Sequence, residues 1–83
     1  MDRKIVYEKI DAERNYQDSL GGQMNHKGKP SLEAEILMMD YYLTLTKEAW
    51  TTNHGNRVPA LNNLRKVAAM AVRCLENYGC PSR

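Results

Sequence analysis

Arg65 and Arg73 lie eight residues apart in a strongly helical stretch, so both fall on roughly one side of a helix. Arginine is the side chain that grips phosphate through two parallel hydrogen bonds, and two of them in register point to anion binding. A second cluster is Lys27-Gly28-Lys29-Pro30-Ser31. A basic connector feeding a helix N-terminus offers lysine charge, unpaired backbone N–H groups and the Ser31 hydroxyl together. Tyr16 sits near the end of the preceding helix. A tyrosine face beside lysine and helix-end donors is what a nucleobase with its phosphate requires. The plainer readings stay open: a solvated linker, Tyr16 packed on neighbouring helices, and Arg73 paired with Glu76 three residues on.

Other chemistries fit less well. The Gly-Lys-Pro-Ser run lacks the upstream glycine spacing, the strand and the α/β setting of a phosphate loop. His26, His54, Cys74 and Cys80 show no paired zinc-ligand spacing, so no metal is expected. Carboxylates are present in Glu8 with Asp11 and in Glu33, Glu35, Asp40 and Glu48. Clustered helical carboxylates hold magnesium over phosphate chains in all-α nucleotide pyrophosphohydrolases. Glu33 and Asp40 share a face, and such a hydrolase is the enzymatic alternative. Solvated charge or cap partnership accounts for both more simply.

Size limits the architecture. At 83 residues the chain is one domain, 1–83, and a chain of this length buries only about 60 to 65% of the surface of its unfolded form. Small domains of this kind need disulfides, metal or oligomerisation as a supplement. Cys74 and Cys80 flank a helix end, a geometry that keeps their Cα atoms beyond disulfide reach, and both are read as reduced thiols of a cytosolic protein. Oligomerisation is the supplement that remains. A net charge of +2 is too small to argue for duplex DNA. The longest wholly apolar run, Val67 to Val72, is far below the roughly 20 residues that span a bilayer. Five methionines, five tyrosines and no phenylalanine are unusual without deciding function.

Three helices are expected, over about 3–20, 32–52 and 59–78. Asp2 is placed to cap the first, a weakly amphipathic helix carrying Ile5, Val6, Ile10 and Ala12, and Gly21-Gly22 to end it. Ser31 caps the second, with Glu33 and Glu35 set against its N-terminal partial charge. That helix carries two adjacent apolar seams: Leu32, Ile36, Met39, Leu43, Thr46 and Trp50, and Met38, Tyr42, Leu45 and Ala49. Two seams imply burial on two sides, and hence contact with another subunit. Asn53-His54-Gly55-Asn56 breaks it, and Pro59 suits the first turn of the third helix. So short a turn makes the two helices antiparallel neighbours.

The third helix repeats Leu61, Leu64, Ala68, Ala71, Leu75 and Tyr78 at alternating steps of three and four, with Gly79 and Pro81 as its stop. Arg65, Lys66 and Arg73 lie off this stripe, and the small residues Ala68-Ala69-Met70-Ala71 let another backbone approach. The fold class is all-α: a short N-terminal helix and a long antiparallel helical hairpin, assembled as a homo-oligomer.

The chain resembles a family of small phage proteins, the anti-CBASS cyclic-nucleotide sponges and the related Thoeris anti-defence sponges, which share a helical-hairpin domain. The resemblance covers most of the chain and is strongest from Leu64 to Pro81, with support from Glu13-Arg14-Asn15-Tyr16-Gln17 and the Lys29-Pro30-Ser31 entry to the long helix. It implies a homohexamer that sequesters cyclic oligonucleotide messengers in the host cytoplasm without cleaving them, with no cofactor and no enzymatic activity. By that resemblance Tyr16 and Lys29 cover the bases of a cyclic dinucleotide such as cGAMP and Ser31 supplies a hydroxyl. Lys27 is the alternative lysine. A separate cyclic-trinucleotide site falls to Arg65, or failing that Arg73. An ADP-ribose-derived messenger is the variant ligand, and an interaction module without nucleotide is the third reading.

Overall fold

The computed structural model describes residues 1–20 and 30–83. The connecting cluster with Lys27 and Lys29, and the Gly21-Gly22 stop, lie outside the described residues. Three helices make up the rest, and no strand is found among the described residues: α1 (Arg3–Ser19), α2 (Leu32–Thr52) and α3 (Val58–Tyr78). The expected short first helix is 17 residues long, against 21 for each of the others, which makes it a full-length partner in the fold.

Local signals at the helix ends act as the sequence predicts. Asp2 caps α1, accepting from the Lys4 N–H at 3.3 Å, and Ser31 caps α2, accepting from the Ala34 N–H at 3.1 Å. The turn between α2 and α3 is closed by Asn53, whose side chain donates to the Ala49 carbonyl at 2.7 Å. Asn56 Oδ1 then accepts the Val58 N–H at 3.1 Å, taking a donor of the new helix that would otherwise be orphaned. Gly55 (φ 77°) lies inside this turn and Gly79 (φ 103°) closes α3, both in backbone regions that side chains disfavour.

α3 is the central element. It packs against α2 along its length and against α1 on a second side, while α1 and α2 do not approach one another. Pro30 and Glu35, at the start of α2, meet Tyr78 and Arg73 at the end of α3: Tyr78 donates to the Pro30 carbonyl and Arg73 Nε to Glu35 Oε1 at 3.0 Å. The buried apolar residues are few and small, namely Ala60, Ala69, Met70 and Cys74. The largest side chain in this interior is charged. Glu35 is 1% exposed and Arg73 6%.

This locates the regular stripe of α3. Leu61, Leu64, Leu75 and Tyr78 are exposed, and the buried face is the next one around the helix. On α2 the same division holds. Met38, Tyr42, Leu45 and Ala49 are half-buried, whereas in the other seam Leu32, Ile36, Leu43 and Trp50 are exposed and only Met39 and Thr46 half-buried.

Candidate functional site

Because α1 and α2 flank α3 without touching, the space between them is a groove with α3 as its floor. It has a volume of about 560 Å³. Glu13, Tyr16 and Gln17 come from α1 and Leu20 from its C-cap, Met38, Tyr41 and Tyr42 from α2, and Lys66, Met70 and Arg73 from α3. Tyr41 and Tyr42 stand edge to face, with ring centroids 5.5 Å apart and planes at 80°. Tyr16 and Tyr41 are each 59% exposed, so their rings are open to a ligand and not used up in the core. Aromatic walls above a floor that carries Lys66 can hold a planar ring with an attached anion, whereas Arg73 is 6% exposed and committed to Glu35.

The side chains lining the groove are fixed by α1's attachment to α3. Arg14 donates from Nε to Glu76 at 2.7 Å and from Nη1 to Asp18 at 2.5 Å. Burial works against its charge, but the hydrogen bonds and attraction of these two carboxylates prevail and hold the guanidinium above its ordinary value. Gln17 donates from Nε2 to the Lys66 carbonyl at 3.3 Å. Arg65 bonds Glu13 at 3.0 Å and Asn62 at 2.8 Å. These contacts set Tyr16 between Glu13 and Gln17 at the rim.

Beneath the floor lies a buried polar cluster. Arg73 Nε and Asn77 Nδ2 both donate to Glu35 Oε1, at 3.0 and 3.4 Å, while Glu35 Oε2 and Arg73 Nη2 are buried without a hydrogen-bond partner. Loss of solvent pushes the neighbouring Cys74 thiol above its ordinary range, and the hydrogen bond and charge of Glu35 add to this against the opposing charge of Arg73. Tyr78 is raised as well, by loss of solvent and then by the charges of Glu35 and Glu33. Both cysteines are free thiols, Cys74 buried and Cys80 exposed.

The sequence-derived site residues are distributed unequally. Tyr16 and Arg73 share the groove. Arg65 sits outside it, on the far side of Glu13, and with Tyr16, Lys9 and Ala12 lines a shallower depression of about 290 Å³. The Ser31 hydroxyl accepts a backbone N–H as an N-cap. Lys29 is outside the described residues. Glu76 pairs with Arg14, so the expected alternative of an Arg73–Glu76 pair is replaced by the buried Arg73–Glu35 pair. Glu35 is in the first turn of α2 as expected, and is a core residue as well. Glu33 and Asp40 are exposed, and no group of three or more His, Cys, Asp or Glu side chains among the described residues could hold a metal ion.

Sequence reading missed Tyr41, Gln17 and Lys66 as groove residues. Tyr41 belongs to neither α2 seam, and an aromatic side chain just off a buried seam was the available signal. Comparison with protein-family models, with curated proteins and with solved structures gives no match.

Proposed function

We propose that the chain binds and sequesters cyclic oligonucleotide second messengers, chiefly cyclic dinucleotides and also cyclic trinucleotides, without cleaving them. This is the immune-evasion role implied by the resemblance to phage sponges, exercised in the host cytoplasm by a homo-oligomer of hairpin protomers. The observation that carries the reading is a groove lined by Tyr16, Tyr41, Tyr42 and Lys66, with the buried Arg73–Glu35 pair beneath it. The hairpin itself is supported by contacts at both ends of α2 and α3, the tight turn at one and the Glu35–Arg73 and Pro30–Tyr78 pairs at the other.

Energetics permit the role. A sponge needs nanomolar affinity, about −12 kcal/mol. Stacking of bases on tyrosine contributes about 1 to 3 kcal/mol each, and each charge-assisted phosphate contact about 1.5 to 3 kcal/mol. Two stacked bases with two or three such contacts reach that figure if the groove is preformed. Acid–base machinery has no part in holding a ligand for intact release.

The test is native mass spectrometry and calorimetry of the purified chain with a panel of cyclic di- and trinucleotides. The expected result is tight binding, with unmodified ligand recovered after denaturation. Tyr16→Ala and Tyr41→Ala should each weaken binding by about 5- to 150-fold, the loss of one stacked base. Linear products would transfer the chain to the hydrolase class, and no binding at all would leave an interaction module.

A further inference from the structure

We infer that two copies of this chain associate through α3, antiparallel about a twofold axis that passes between Ala68 and Ala71. The inference rests on the homo-oligomer of the proposed function but not on nucleotide binding, and it is argued from the outward face of this helix.

That face carries no charge. Leu61, Leu64, Ala68, Ala71, Val72, Leu75 and Tyr78 follow one another along it, with Leu61 57% exposed in the single chain. The charged residues of α3 lie on other sides: Arg65 bonds Glu13, Glu76 bonds Arg14, Arg73 bonds Glu35, and Lys66 lines the groove. The start of α2 meets the end of α3, so the exposed α2 seam of Leu32, Ile36, Leu43 and Trp50 runs beside this stripe and widens it. A contiguous apolar face of this extent is a contact surface.

The occupant is read from the order of residues in the stripe. Counted outward from the Ala68–Ala71 midpoint, Ala68 is matched by Ala71, Leu64 by Leu75, and Leu61 by Tyr78. A twofold interface requires this self-complementarity, each residue meeting its counterpart twice. With an antiparallel second copy, Ala68 faces Ala71, so the backbones approach closely where the helices cross, within the 8–10 Å range of packed helices. Leucines then meet leucines on either side. At each end, Tyr78 of the second copy falls opposite Leu61, at the mouth of a mainly apolar groove of about 470 Å³ lined by Val6, Ile10, Leu61, Leu64 and Ala68 together with Lys9, Asn62 and Arg65. A large ring meets a hole at the one place where the stripe pairs unequal sizes.

Sedimentation equilibrium of the full chain without nucleotide tests the inference, together with Leu64→Lys, Leu75→Glu and the double variant. The unmodified chain should be a dimer or a larger even-numbered assembly. Each single substitution should at least halve its mass, and the double variant should restore it, because the introduced opposite charges face each other across the axis. Helix content by circular dichroism accompanies each run. If a single variant loses helix along with mass, recovery of both in the double variant supports the interface equally. A monomeric unmodified chain, single variants of unchanged mass, or a double variant that fails to recover each overturns it. A monomer would assign the face to a different protein.

Discussion

The Glu35–Arg73 pair is a costly arrangement. Two ions are withdrawn from water with one carboxylate oxygen and one guanidinium nitrogen left without partners. Desolvation of such a pair commonly cancels its attraction, so its presence adds little stability, whereas removing one member strands the other. Arg73→Met is therefore expected to cost about 3 to 5 kcal/mol. Combining it with Glu35→Leu should recover most of that loss, since apolar replacements of a buried pair are often neutral or stabilising. Urea denaturation of the two single variants and the double gives the coupling directly. A double variant as unstable as the sum of the singles would show no coupling between the two side chains, and one as unstable as either single would show that the pair stabilises outright. The cluster also ties the groove floor to the α2–α3 packing, so Arg73 is held in place before any ligand arrives.

Among the elements, α1 is the one with least to hold it. None of its residues is buried, and it leans on α3 alone. Its attachment toward the C-terminal end is polar: Arg14 to Glu76, Gln17 to the Lys66 carbonyl, and Arg65 back to Glu13. The carboxylate partners of Arg14 are about half exposed, 55% for Asp18 and 52% for Glu76, and pairs open to solvent contribute about 0 to 1 kcal/mol, so Arg14→Ala should leave global stability within about 1 kcal/mol of the parent. Its effect should be local, as faster amide exchange in the last two turns of α1 while α2 and α3 keep their protection. Unchanged exchange in α1 would mean that its apolar residues carry the attachment. Helix positions were legible in the sequence because caps, Gly79 and Pro59 are local signals that packing rarely overrides. The groove was only half legible. Tyr16 and Arg73 stood out by residue type, but which face of α3 turns inward is a tertiary outcome. The cleanest apolar periodicity, Leu61 to Tyr78, marks the outer face, while the inner one includes Arg73 and Cys74 beside small residues. Periodicity reports that a face is buried somewhere, and a single chain does not say by which partner.

For the molecule as a whole, the small interior and the apolar exterior are one fact. Alanine, a methionine and a cysteine form the buried apolar set, while leucines, isoleucines and a tryptophan remain outside. A chain of this length folded alone sits near the limit at which burial offsets conformational entropy, and moving those side chains out of water is the remaining source of stability. Folding and association should then be one linked equilibrium, in which stability depends on protein concentration by mass action. For a dimer unfolding to two chains, hundredfold dilution removes about 2.7 kcal/mol, which lowers the midpoint of a unit of this combined size by about 5 to 10 °C. Thermal melts by circular dichroism from about 1 to 100 µM measure this. The slope should fall toward zero in the Leu64→Lys variant if its monomer keeps its fold. A midpoint independent of concentration in the unmodified chain would mean that α1, α2 and α3 fold without the second copy, leaving the outer leucines exposed in the native state.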